Sequence, residues 1–196
     1  MREASVARKT AETDIQVKLN LDGLGASTVD TGCGFLDHML TLFAFHGRFD
    51  LTALCAGDTL VDDHHTVEDT AIALGRAFSD ALGDRAGIAR YGSFLLPMDE
   101  ALVLCALDIS GRAHLSYDLA PPSQKIGTFD TELGREFFLG FSRELKLTLH
   151  LTQLSGLNSH HILEAAFKGF GRAMRQAVAI DRDARGGVAS TKGVLL

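Results

Sequence analysis

A chain of 196 residues, 46% of them apolar, is long enough to build a sizeable core in one domain or two small halves. Its net charge of −6 argues against a nucleic-acid-binding surface, so an anionic ligand must be met by a local cluster of Lys and Arg. Cys33, Cys55 and Cys105 are odd in number and far apart, the usage of reduced cytosolic thiols, and Met1-Arg2-Glu3-Ala4-Ser5 has no apolar signal region. The longest apolar stretch, Ala101 to Leu107, is strand-sized, so a cytoplasmic protein with neither membrane nor nucleic-acid partner is expected.

In chain order, Ser5 to Asp22 alternates, with Ile15, Val17, Leu19 and Leu21 on one face. That pattern predicts a half-buried strand. Glu12 stands at its start, where a solvated edge residue is the plain reading. Asp22-Gly23 is expected to turn this strand into a hairpin with Gly25 to Thr31. Phe35 opens a helix striped by Leu36, Met39, Leu40 and Phe43 that carries His38 and His46, with Gly47 as its stop. Phe49 to Ala56 reads as a strand and His64 to Leu82 as a second helix.

The next region repeats this plan. Tyr91 to Ala101 and Leu102 to Ile109 are expected as strands around the turn Pro97-Met98-Asp99-Glu100. Gly111 to Leu119 is a strand containing Arg112 and His114, and Pro121 to Thr128 a loop. Thr131 to Leu145 is helical, Lys146 to Gln153 a strand containing His150, and His160 to Ala179 a helix. The tail 181–196, with Ser190-Thr191-Lys192-Gly193, is expected to be irregular.

One stretch organises all of this: Asp62-Asp63-His64-His65-Thr66-Val67-Glu68-Asp69, matched later by Asn158-Ser159-His160-His161-Ile162-Leu163-Glu164. Both contain His-His-x-x-Glu at a helix start. Residues three and four apart share a helix face, so each Glu is flanked by both histidines. Adjacent residues diverge by about 100°, so the two imidazoles splay and serve different ions. Two motifs therefore predict two metal sites, each drawing on more than one segment. Imidazole with carboxylate suits Mn, Fe, Zn or Ni better than Ca or Mg. The plainer alternative is surface histidines with a Glu that favours the helix dipole.

The same offset overlays Gly75-Arg76-Ala77 on Gly171-Arg172-Ala173. The chain thus reads as an internal duplication, with repeats of about 1–88 and 89–180 plus the tail. The fold class is α+β: each half a mainly antiparallel sheet with two helices packed on one face. The counterpart of His38 falls near Glu136, which should ligate metal or lie close to it if the halves build equivalent sites.

Leu36-Asp37-His38-Met39, the two His-His-x-x-Glu stretches, Phe167-Lys168 and Ser190-Thr191-Lys192-Gly193 together resemble the imidazoleglycerol-phosphate dehydratases of histidine biosynthesis, over nearly the whole length. The resemblance implies a duplicated unit of the ribosomal protein S5 domain 2-like type. It implies a homo-oligomer of 24 subunits and two Mn(2+) ions per active site held between subunits. The ligands would be His38, His64, His65, Glu68, His160, His161 and Glu164. Glu136 stands where many members carry His, and is kept as an oxygen ligand. The substrate implied is imidazole glycerol phosphate. Its phosphate would meet Arg90, Arg112, Lys168, Ser190 and Lys192, with His46 nearby. Leu42 replaces a polar Gln common in the family. The reaction removes water from the glycerol chain beside the imidazole and leaves a ketone. Glu12 is expected to be the base, Asp99 an orienting or substrate-binding group, and Glu68 and Glu164 to act through the metal. Two other classes stay open from the residues alone. A metal-dependent hydrolase would more typically show His-Glu-x-x-His, and a non-enzymatic metal-binding shell would need no phosphate cluster.

Overall fold

The computed structural model describes residues 2–181, 187–193 and 195. Strand β1 (Glu3–Lys9) and β2 (Thr13–Asn20) form an antiparallel hairpin from Glu3↔Asn20 to Lys9↔Asp14. Its turn is made by Thr10, whose hydroxyl accepts the amides of Glu12 (3.1 Å) and Thr13 (3.0 Å). The expected single strand over 5–22 is therefore two strands, and the hairpin turn lies at Thr10 to Glu12 rather than at Asp22-Gly23. A threonine turn of this kind carries no glycine or proline to announce it. After β2 the chain crosses to β3 (Ser27–Asp30), which pairs not with β2 but in parallel with β4 (Asp50–Gly57). The Asp50 carboxylate fixes this crossing by accepting the amides of Leu24, Gly25 and Ala26. Between β3 and β4 runs helix α1 (Gly34–Gly47), and α2 (His64–Leu82) follows β4.

The second half repeats the order with β5 (Tyr91–Met98), β6 (Ala101–Asp108), β7 (His114–Asp118), α3 (Leu133–Leu145), β10 (Thr148–Ser155) and α4 (Ser159–Val178). The sheets run β1-β2-β4-β3 and β5-β6-β10-β7, each antiparallel except for its last pair. The β5–β6 turn shrinks to Asp99-Glu100, and Pro97 stays in β5, an edge strand that tolerates a residue without an amide proton. The loop expected from Pro121 to Thr128 contains β8 (Lys125–Ile126), which pairs with β9 (Phe129–Asp130) in a small hairpin. The described part of the tail is irregular, as expected, and the rest lies outside the described residues. Among the described residues no helix is long and apolar enough to cross a membrane.

The helices of the two halves pack crosswise. α1 meets α4, and α2 meets α3, so each seam joins one half to the other. Glycine permits both approaches. A Cβ on Gly75 would sit 2.7 Å from the Phe141 carbonyl oxygen of α3, and one on Gly171 would sit 2.6 Å from that of Phe43 in α1. Eight phenylalanines, including Phe43, Phe78, Phe141 and Phe170, fill the space at full burial. Phe43 stacks on Phe170 with centroids 5.2 Å apart, and Phe78 meets Phe141 edge-on at 5.4 Å. Helix α1 ends with Arg48 in the left-handed region (φ 54°), as α3 ends with Lys146 (φ 54°). The expected stop at Gly47 is the last helical residue. It is glycine because a side chain there would collide with the Phe49 ring.

Candidate metal centre

At the α1–α4 seam, local sequence and packing converge on one carboxylate. Asn158 caps α4, its side chain accepting the amides of His160 (2.9 Å) and His161 (3.4 Å). One turn on, Glu164 is buried, and its Oε2 lies 2.9 Å from His160 Nε2 and 3.2 Å from His38 Nε2 of α1. Its other oxygen pairs with Lys168, a further turn along. Burial works to raise the Glu164 pKa, but hydrogen bonds from Lys168, His160 and His38 outweigh it and hold the group at about 2. An ionised carboxylate thus faces two imidazole nitrogens, with all three donor atoms within 4.8 Å of one another. Two imidazoles and a carboxylate fit a transition-metal dication, and the exposed His38 side leaves room for further ligands.

The α2–α3 seam holds the counterparts in a looser form. His64 Nε2 is 3.9 Å from Glu68 Oε2. Glu136 lies one turn before Gly140, where α3 abuts the Glu68 carbonyl, and its carboxylate accepts a hydrogen bond from Arg135 at 3.1 Å. Among the described residues the α1–α4 seam alone gathers three such donors.

His65 and His161 point away from their neighbours, as helix geometry requires. Their rings stand near-perpendicular to those of His64 and His160, with centroids 6.1 and 6.3 Å apart. Each has a carboxylate on Nδ1: Asp58 at 3.0 Å from His65, and Glu100 at 2.7 Å from His161. These hydrogen bonds are the main reason both imidazole pKa values are raised. Glu100 is held at about 2 by His161 and then by the amides of Asn158 and Leu157. Each ring also has a looser carboxylate near Nε2, Glu12 at 3.9 Å from His65 and Asp99 at 3.7 Å from His161. The sequence reading singled out Glu12 and Asp99 and missed Asp58 and Glu100. Overlaying the two hairpins, which sets Glu100 on Glu12, would have found the latter.

The cationic residues fall into two groups. Lys168 and Arg172 of α4 lie beside His46, whose pKa is lowered first by burial and then by these two cations. Arg172 was not among the expected site residues. Leu42 packs against the core from α1. The other group lies at the far end of α4. Arg90 follows a pairing of Ala89 with Ala179, binds Asp108 through two nitrogens (2.6 and 2.9 Å), and donates to the Ala189 carbonyl (2.7 Å) beside Ser190. Arg112 is exposed and turns back on Ser110, and the Lys192 amide donates to the Ser190 hydroxyl. The helix between Glu164 and the Arg90 end spans roughly 20 Å at 1.5 Å per residue. One chain does not bring Arg90, Ser190 and their neighbours to the three-donor cluster.

Comparison with known proteins completes the picture. The sequence profile of the imidazoleglycerol-phosphate dehydratase family matches residues 31–174. An imidazoleglycerol-phosphate dehydratase of Synechococcus sp. (strain WH7803) is 58% identical over 195 residues, covering 100% of this chain and 96% of the relative. That of Jannaschia sp. (strain CCS1) is 56% identical, with both chains fully covered. Among solved structures, the Pyrococcus furiosus enzyme in complex with (S)-C348 superposes with a TM-score of 0.84 at 40% identity, covering 97% of this chain and 100% of that one. The Staphylococcus aureus enzyme gives 0.83 at 38% identity, covering 91% and 99%.

Proposed function

Because this chain belongs to the imidazoleglycerol-phosphate dehydratase family, a lyase family of histidine biosynthesis, we propose that it converts D-erythro-imidazole glycerol phosphate to imidazole acetol phosphate with two Mn(2+) ions per active site. The observation that carries the metal dependence is the convergence of His38, His160 and ionised Glu164 on one point. These three would hold one ion. His64, Glu68 and Glu136 of the other seam would hold the second, with His65 and His161 completing sites across boundaries between copies. The metal would act as a Lewis acid toward the imidazole, easing ionisation of its N–H so that the ring's electrons help expel the hydroxyl on the attached carbon, while the C–H that is removed lies on the next carbon along the chain.

The remaining work falls to side chains. Glu12 has an exposed carboxylate 3.9 Å from His65 Nε2 and takes the C–H proton. The hydroxyl on the ring-attached carbon leaves and, with the proton taken from the next carbon, accounts for one water. The resulting enol shifts its O–H proton to the ring-attached carbon and becomes the ketone. Asp99, similarly exposed beside His161, orients the substrate. Arg90, Arg112, Ser190 and Lys192 meet the phosphate, and Lys168 and His46 lie on its path. Arg supplies paired donors and Lys a point charge.

Self-association into a 24-mer follows from the same reading. Within one chain the phosphate-binding group and the three-donor cluster are too far apart to share a small substrate, so their union needs a second copy. Leu60, Val61 and Leu157, next to the two motifs, are largely exposed apolar side chains of the kind a neighbouring subunit covers. No nucleic-acid or membrane partner enters this reading, and the enzyme acts in the cytoplasm.

The test is a direct assay of metal-stripped protein with imidazole glycerol phosphate, with and without Mn(2+). Turnover to imidazole acetol phosphate that returns only with metal is the expected result. Undiminished turnover after stripping would remove the metal from the mechanism. No turnover with any divalent ion, in folded and assembled protein, would overturn the substrate assignment.

A further inference from the structure

The two outward-facing histidines are held in the same way by carboxylates that do not occupy the same place in the repeat. Asp58 reaches His65 from the end of β4, while Glu100 reaches His161 from the β5–β6 turn. In both cases the tight contact is on Nδ1, and Nε2 faces only a looser carboxylate. Glu100 is itself immobilised. Its Oε1 accepts the amides of Leu157 (3.1 Å) and Asn158 (2.8 Å), and its backbone carbonyl accepts the Ser155 hydroxyl (3.0 Å). One side chain thus fixes the loop that caps α4 and, through Oε2, the first-turn imidazole.

We propose that Asp58 and Glu100 are positioning residues that fix His65 and His161 as Nδ1–H tautomers, so that Nε2 is the free donor each ring offers to metal. An ionised carboxylate can only accept a hydrogen bond, so Nδ1 must carry the proton it donates, and the contact selects the tautomer as well as the ring orientation. The same arrangement explains a division of labour. Glu12 and Glu100 occupy equivalent hairpin positions, but Glu100 is committed to three donors, whereas among the described residues the Glu12 carboxylate makes only the loose contact with His65. The committed carboxylate orients, and the loosely held one is left for chemistry. The proposal rests on the metal-dependent reading for its purpose but not for its test.

The experiment uses full-length protein labelled with 15N histidine, freed of metal and studied by solid-state NMR in alkaline buffer, where the rings are neutral. The rings assigned by the variants His65→Gln and His161→Gln should both carry the proton on Nδ1. Glu100→Gln turns an amide donor toward His161 and should move that ring's proton to Nε2, leaving His65 unchanged. Asp58→Leu, which leaves no acceptor at Nδ1, should let the His65 proton move to Nε2 and leave His161 unchanged. In a parallel Mn(2+) titration each variant should lose about 10- to 100-fold in affinity, as second-sphere partners of histidine ligands do. An Nε2–H signal for either ring in the unsubstituted protein would overturn the proposal, as would unchanged tautomers in the variants. A purely structural role for Glu100 would lower the melting temperature without moving either readout. If the unsubstituted protein binds no Mn(2+), the metal reading falls, and the NMR arm still decides this one.

Discussion

The α1–α4 seam and the α2–α3 seam are built from equivalent helices, yet one draws two imidazoles and a carboxylate together and the other leaves its counterparts apart. His38, His160 and Glu164 meet within 4.8 Å at the first. At the second, His64 stands 3.9 Å from Glu68, and Glu136, in the place of His38, is tied to Arg135. Backbone architecture cannot be the cause, since strand order, helix pairing and the glycine at each crossing are the same. The difference lies in single side chains. Duplication supplies two equal scaffolds, and local substitution then gives each its own electrostatics.

The largest expected effect breaks the favoured seam. Glu164→Gln removes the charge on which both imidazoles converge, and should weaken Mn(2+) binding by more than the roughly 100-fold upper figure for outer-sphere partners. Glu68→Gln should do less to the first equivalent of metal, and isothermal titration with the metal alone would separate the two. Equal losses would mean that the seams are equivalent after all.

Next in size are the crossings themselves. Gly171→Ala and Gly75→Ala each place a methyl against a carbonyl of the facing helix and should cost about 1–3 kcal/mol each, as overpacking does. Denaturant unfolding would read this. A neutral result at one seam only would show that its helices have slack the other lacks.

A sharper comparison comes from Glu136→His, which makes the second seam resemble the first. The second equivalent of Mn(2+) should bind about tenfold more tightly, equivalent to about 1.4 kcal/mol. Unchanged affinity would show that Arg135 rather than the residue at 136 governs that site.

The smallest effect separates the loops that enter the parallel strand pairs. Asp50 caps its loop with one carboxylate oxygen, while Thr148, at the same place in β10, bonds Ser110 instead. The amides of Leu24, Ala26 and Gly25 lower the Asp50 pKa. A depressed carboxylate contributes stability above its unfolded value near 4 and loses it as the pH falls through the lower folded value. Asp50→Asn should therefore flatten part of the acid side of the stability profile, by about 1 kcal/mol. Thr148→Ala should leave the pH dependence as it was.

Much of this was legible in the sequence. Alternation fixes strand faces and the 3.6-residue period fixes helix faces, because both are properties of a single segment. The repeated His-His-x-x-Glu, with its shared offset to Gly75 and Gly171, declared the duplication and placed His160 and Glu164 on one helix face. The family followed from the same stretches. What the segment could not state was its partner. β1 pairs with β2 across an unannounced threonine turn, β3 joins β4, and α1 crosses to α4 of the other half. Those choices depend on burying apolar faces between residues far apart in the chain. The same is true of Glu100, whose role exists only because the β5–β6 turn ends beside the cap of α4. It holds too for Arg90 and Ser190, which folding sets about a helix length from Glu164. The sequence determined which groups have the chemistry of metal ligands and of phosphate donors. Only the tertiary structure decided which of them meet, because proximity between distant residues is set by packing rather than by local pattern.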